Sequence, residues 1–243
     1  MKAPYMLSMF RRLALCLLSL LVIALPAAAP AQQQQARDWS RTVTLGANGA
    51  YILGNPAAPN KLIEYMSYTC PHCAHFARDA TAPLKSGWIR RGLVSIEYRN
   101  FVRDAFDLSA ALLARCGGAG KFLGNHEAIF ANFDPWMEKA QAFANSPEAA
   151  TPSDDRVAQL ATIADKTGLF ALLAPRGLTP AAQRACLADR QAMDQVLAMT
   201  RGAQEVEGFT GTPFFILNGQ PLANVHDWAS LQPRLPALPA SRN

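Results

Sequence analysis

Cys70 and Cys73 stand two residues apart in Tyr-Thr-Cys-Pro-His-Cys-Ala-His-Phe (residues 68–76), with Pro71 and His72 between them. Two thiols at this spacing can anchor a haem, hold a metal, staple a loop, or cycle between dithiol and disulfide. Haem attachment needs a histidine directly after the second cysteine, and Ala74 stands there. A zinc site needs four ligands, usually from two such pairs. The other cysteines are distant and single, and a helix would spread His72 and His75 apart, so no metal is expected and Cu(I) carriage by the two thiols is the only metal reading left. A disulfide closing so small a ring removes little chain entropy, which favours redox chemistry over stapling.

At the start of a helix the first cysteine faces unpaired N–H groups and the positive end of the helix dipole, both of which favour its thiolate. Cys70 is therefore the expected reactive thiol, and Cys73, one turn inside, its buried partner. His72 beside the thiolate can donate a hydrogen bond or a positive charge and lower the thiol pKa further. A stabilised thiolate makes the disulfide a stronger oxidant. His75 reads as an ordinary surface or half-buried side chain.

The compartment supports this chemistry. The chain opens with Lys2, Arg11 and Arg12, continues with an apolar run of 13 residues (13–25), and reaches small residues ending in Ala29-Pro30-Ala31. That is the layout of a secretory signal cleaved near Ala31, and the run falls short of the ~20 residues a spanning helix needs. Cys16 lies inside it and is discarded with it. Cleavage leaves 212 residues and lowers the net charge from +5 to +2, because it removes three basic residues and no acid. With no basic stripe interleaved with aromatics, nucleic-acid binding has little support and is not expected. Four cysteines remain in an oxidising compartment. The even count favours a second bond, Cys116 to Cys186, closing about 70 residues, over two separate buried thiols.

The elements that must position these residues follow from periodicity and punctuation. Residues 32–35 form a polar leader, and the turn-rich Gly54 to Asn60 hands over to a buried strand, Lys-Leu-Ile-Glu-Tyr-Met-Ser. A helix starts at the dithiol, with Thr69 available as its cap and Pro71 in the first turn, and residues 93–102 read as a second strand. Strand, helix, strand implies a parallel pair with a crossover helix. From Asp104 to about Glu207 the apolar period is helical, with Gly168 ending one helix and Thr179-Pro180 opening the segment that runs on to Glu207. Phe214 to Leu217 and the Asn218-Gly219 pair predict a strand and a two-residue turn, with Pro221 at an edge and a short final helix after it. The expected architecture is α/β: signal 1–31, an α/β domain in two parts (32–103 and 208–243), and a helical insertion (104–207).

With its Cys70-Pro71-His72-Cys73 centre, Glu64 six residues ahead, long helical insertion and later Gly211-Thr212-Pro213-Phe214-Phe215, the chain resembles the DsbA family of exported thiol oxidoreductases. The resemblance covers nearly the whole mature chain and implies a thioredoxin fold with an inserted all-helical domain. It implies that Thr212-Pro213 is a cis-proline site beside the dithiol, where the backbone pairs with extended substrate. It also implies that Glu64 lies under the active centre; an acid within Leu-Ile-Glu-Tyr-Met reads as a buried proton carrier for Cys73 rather than a solvated strand residue. Relatives often carry Thr between the proline and the aromatic pair, whereas Phe214 follows Pro213 directly here.

The expected function is donation of the Cys70–Cys73 disulfide to reduced, unfolded secreted polypeptides in the periplasm. The protein would be a monomer without metal, nucleotide or flavin cofactor, reoxidised by a membrane partner. The alternatives are a disulfide isomerase or reductase, and a non-catalytic chaperone or Cu(I) carrier.

Overall fold

The computed structural model describes residues 37–149 and 154–239 of the 243-residue chain. The expected signal, its cleavage near Ala31 and the 32–35 leader lie outside the described residues, as does part of the 145–153 loop.

Strand β3 (Asn60–Met66) is buried from Glu64 to Met66 and lies at the centre of the sheet. It pairs in parallel with β4 (Val94–Asn100), from Asn60 opposite Val94 to Met66 opposite Asn100, and helix α1 (Pro71–Leu84) makes the crossover. The strand–helix–strand unit is the one the sequence predicts. Strand β5 (Phe214–Leu217) runs antiparallel on the other side of β3, and β6 (Gln220–Pro221) closes that edge. Asn218 (φ 52°) and Gly219 (φ 81°) form the turn between them, the positive angles that this residue pair tolerates. At the opposite edge, β1 (Val43–Leu45) and β2 (Tyr51–Leu53) form a hairpin against β4. The sequence analysis assigned no sheet there, because three-residue strands are too short to show a period of two.

Among the described residues seven α-helices separate β4 from β5: α2 (Ala105–Arg115), α3 (Ala119–Ala131), α4 (Phe133–Ala144), α5 (Arg156–Lys166), α6 (Leu169–Leu173), α7 (Pro180–Leu187) and α8 (Arg190–Gln204). Side-chain caps define most of their starts. Asp104 accepts from Asp107 N–H at 2.8 Å, Thr179 caps α7 ahead of Pro180, and Asp189 caps α8. The segment expected to run on from Thr179-Pro180 is thus two helices, since Asp189 starts a new one. Gly168, at φ 79°, ends α5 in the left-handed region.

The helices are not a unit apart from the sheet. Leu112, Leu113, Ile129, Leu160 and Val196 are nearly inaccessible and pack in one core with Met66 and Tyr68, which come directly from β3 and its exit. Each such side chain is worth about 1.5–3 kcal/mol on burial. The second face of the sheet places Leu62, Ile96 and Phe215 against Phe76, Trp88 and Leu231, the last from the short helix α9 (Trp228–Leu231). Cys116, at the end of α2, is bonded to Cys186 on α7, with a Cα–Cα distance of 5.5 Å.

Candidate active site

Proline at the first helical position suits α1, since its φ is already helical and its missing N–H would have had no partner. That makes Cys70 the N-cap, with extended backbone (φ −92°, ψ 120°). Thr69, expected as the cap, stands one residue too early, and its hydroxyl lies 3.2 Å from Ser67 Oγ instead. Both thiols are free. The Cys70 Sγ lies 3.2 Å from the Thr212 carbonyl oxygen, to which it donates in its thiol form, and the Thr212–Pro213 bond is cis. The fold thus joins two motifs 142 residues apart.

The electrostatics divide the two sulfurs. The hydrogen bond from the Cys73 thiol, helped by the Thr212 side chain and the backbone N–H groups of Cys73 and His72, outweighs burial and lowers the Cys70 pKa from 9.0 to about 4. Cys73, inaccessible to solvent, is pushed well above 9.0, chiefly by burial and then by the neighbouring Cys70 thiolate. His72 is exposed, and what reaches the Cys70 sulfur is its peptide N–H; no hydrogen bond from its imidazole occurs among the described residues. The thiolate is therefore stabilised first by the Cys73 thiol, then by Thr212 and the N–H groups of the helix start; of the two contributions expected from the sequence, the helix start is present and a hydrogen bond from the His72 imidazole is not among the described contacts. His75 is exposed.

Glu64 is 3% exposed on β3 and has no hydrogen-bond partner among the described residues. Burial alone raises its pKa from 4.5 to about 8, so it holds its proton at neutral pH. It faces a small cavity shared with Tyr98, Thr81, Lys85 and His126, at the junction of α1, α3 and β4. His126 is neutral there, its pKa lowered to about 3 by burial and then by Lys85, and its Nδ1 lies 3.0 Å from the Tyr68 hydroxyl. On the other side of the dithiol, the Pro213 carbonyl accepts from His226 Nδ1 at 3.3 Å. The Cys116–Cys186 bond belongs to the helical segment, and neither sulfur joins the dithiol.

The sequence analysis did not single out Ser67, Tyr68 or Asp107, which surround the approach to Cys70. The one signal in the sequence is weak: Asp107 is an acid directly before the largely apolar stretch Leu108 to Ala114.

A sequence profile described as thioredoxin matches residues 47–235. The chain belongs to the thioredoxin family. It is 35% identical to a family member of known structure, a protein-disulfide isomerase from Novosphingobium aromaticivorans, covering 75% of this chain and 93% of that one with a TM-score of 0.68. With the alpha-DsbA1 of Wolbachia pipientis it shares 27% identity, 71% coverage of this chain and 76% of that one, and a TM-score of 0.56. A Rickettsia bellii chain named as a protein-disulfide oxidoreductase is 28% identical over 169 residues. That match takes in 69% of this chain and 56% of the relative, so the chain spans little more than half the length of this curated relative. These similarities place it in the DsbA-type branch of the thioredoxin family, with the thioredoxin-like fold and long helical segment that the sequence led us to expect.

Proposed function

We propose that this thioredoxin-family chain is an exported thiol:disulfide oxidoreductase that donates the Cys70–Cys73 disulfide to reduced, unfolded secreted polypeptides. The observation that supports this most strongly is the division between the sulfurs: Cys70 ionises near pH 4, while Cys73 keeps its proton far above that. A substrate thiolate attacks the Cys70 sulfur, a mixed disulfide forms, and the electron pair of the broken bond goes to Cys73. Cys73 then takes a proton, and we assign Glu64, protonated at neutral pH, as its source. The substrate's second thiolate attacks its own sulfur in the mixed disulfide, and Cys70 departs as a stabilised thiolate. Two electrons have passed from substrate to protein.

In this reading the Thr212 backbone pairs with the extended substrate, as strand-adding sites do. The exchange itself calls on no metal, nucleotide or flavin. An electron acceptor must restore the disulfide, and we place it in the membrane of the compartment that receives the exported chain, the periplasm. The protein acts as a monomer, with residues 104–207 inserted between the two parts of the thioredoxin domain.

Equilibrating the Cys70/Cys73 couple with glutathione tests the direction. A potential near the strong-oxidant end, roughly −120 mV, supports donation, and one near the reductant end, roughly −270 mV, reverses it. Cys70→Ser must abolish oxidation of a reduced substrate; retained activity would point to a chaperone or Cu(I) carrier instead. The name of the N. aromaticivorans relative supports a second reading, isomerisation. Efficient reshuffling of a scrambled multi-disulfide protein with poor oxidation of a reduced one would favour it.

A further inference from the structure

The turn that delivers Cys70, Ser67-Tyr68-Thr69, is held by the helices rather than by the sheet. Asp107, fully buried in the first turn of α2, accepts from the Ser67 hydroxyl at 2.6 Å, the Tyr68 N–H at 2.8 Å and the Arg103 N–H at 3.1 Å. Ser67 Oγ in turn accepts from the Thr69 N–H at 3.2 Å. The Arg103 guanidinium donates to the Thr69 carbonyl at 3.2 Å. The Tyr68 side chain is plugged among the helices, its ring packed on Phe130 with centroids 5.0 Å apart. Every residue between β3 and the reactive cysteine is thus tied to α2, α3 or the segment that leads into α2.

Burying a carboxyl is costly unless its hydrogen bonds are needed, and helix capping does not require this one. Asp104 already caps α2, so two of the three bonds that Asp107 accepts go to the turn before Cys70. That turn has two outlets at the dithiol. It sets where the Cys70 sulfur meets Thr212 and the start of α1, and it carries the Ser67 N–H that bonds Cys73.

We propose that Asp107 is a positioning residue for the redox centre: through Ser67 and Tyr68 it fixes both sulfurs against the groups that set their reactivity. The inserted helices are then part of the redox device and not only a cover for the sheet. This inference rests on the oxidoreductase reading above.

The test compares reduced wild type, Asp107→Asn and Ser67→Ala in three measurements: thiolate titration of Cys70, equilibrium with glutathione, and thermal unfolding. Asn places an N–H group where Ser67 and Arg103 donate, and Ser67→Ala removes the same link without changing any charge. Both variants are expected to ionise Cys70 at higher pH and to shift the glutathione equilibrium toward the disulfide by about tenfold, the size of one lost hydrogen bond to a charged group. The double variant should shift it no further than Asp107→Asn alone, because the residues act as one unit. Lower thermal stability with unchanged titration and equilibrium would make Asp107 merely structural and overturn the proposal. Ionisation of Cys70 at lower pH in Asp107→Asn would overturn it too, since only the missing charge would have been felt. Should Asp107→Asn not fold, Ser67→Ala decides by the same readouts. A reducing wild type in this series would sink the oxidase reading whatever the variants do.

Discussion

Replacing Glu64 by Gln should remove most of one segment of the protein's pH dependence. In the native state Glu64 keeps its proton up to about pH 8, whereas in the unfolded chain it loses it near 4.5. Between those values the native state holds the extra proton, so raising the pH pulls the equilibrium toward unfolding. Stability from this group is complete below 4.5 and lost as pH rises through 8. Each pH unit in the window costs about 1.4 kcal/mol, and integrating from pH 5 to pH 8 gives about 3.5 kcal/mol. Gln cannot ionise, so Glu64→Gln should gain about 3.5 kcal/mol on wild type between pH 5 and pH 8. Urea unfolding of both reduced proteins across that range is the assay. Asp107, raised by burial to about 7, adds a slope of its own, but it is present in both proteins and cancels in the difference. Parallel stability profiles would show that Glu64 is ionised in the native state or reaches water, and the proton-donor assignment would go with it.

Three further outcomes follow from the geometry. Replacing Cys116 and Cys186 by Ser opens a link between residues 70 apart and should cost about 4 kcal/mol in guanidinium unfolding, while the Cys70 titration stays where it was. Thr212→Val keeps the side-chain shape but removes a hydrogen bond to the Cys70 thiolate, so absorbance titration should show Cys70 ionising at higher pH than wild type. His72→Ala should move that titration less than Thr212→Val does, because the ring makes no hydrogen bond and the peptide N–H is retained; a larger shift would return the imidazole to the mechanism.

Local features were legible because their causes are local. Pro71 after Cys70 marks a helix start, Thr179-Pro180 another, and Asn218-Gly219 a tight turn, and each is found where the residues put it. The Cys70 contact with Thr212 spans 142 residues, so no window of sequence holds it; only the family resemblance pointed there. Glu64, an acid among apolar strand residues, likewise gained its role only from that resemblance. Asp107 had no resemblance to mark it, and an acid in the first turn of a helix has an ordinary explanation in the helix dipole. Its bonds to Ser67 and Tyr68 cross 40 and 39 residues and appear only when α2 folds against the end of β3. His72 misled for a related reason. Its place between the thiols implied a ring contact, but the helix turns that ring to solvent and leaves the backbone facing the sulfur.

The most direct test of the account is an ultraviolet thiolate titration of the reduced protein, with Cys70→Ser as the blank. One sulfur should ionise near pH 4 and the other should stay protonated beyond pH 9. If instead neither sulfur ionises before the pH of an ordinary cysteine, about 8.5, the start of α1 does not stabilise the anion and the proposed flow of electrons from substrate to protein loses its driving force.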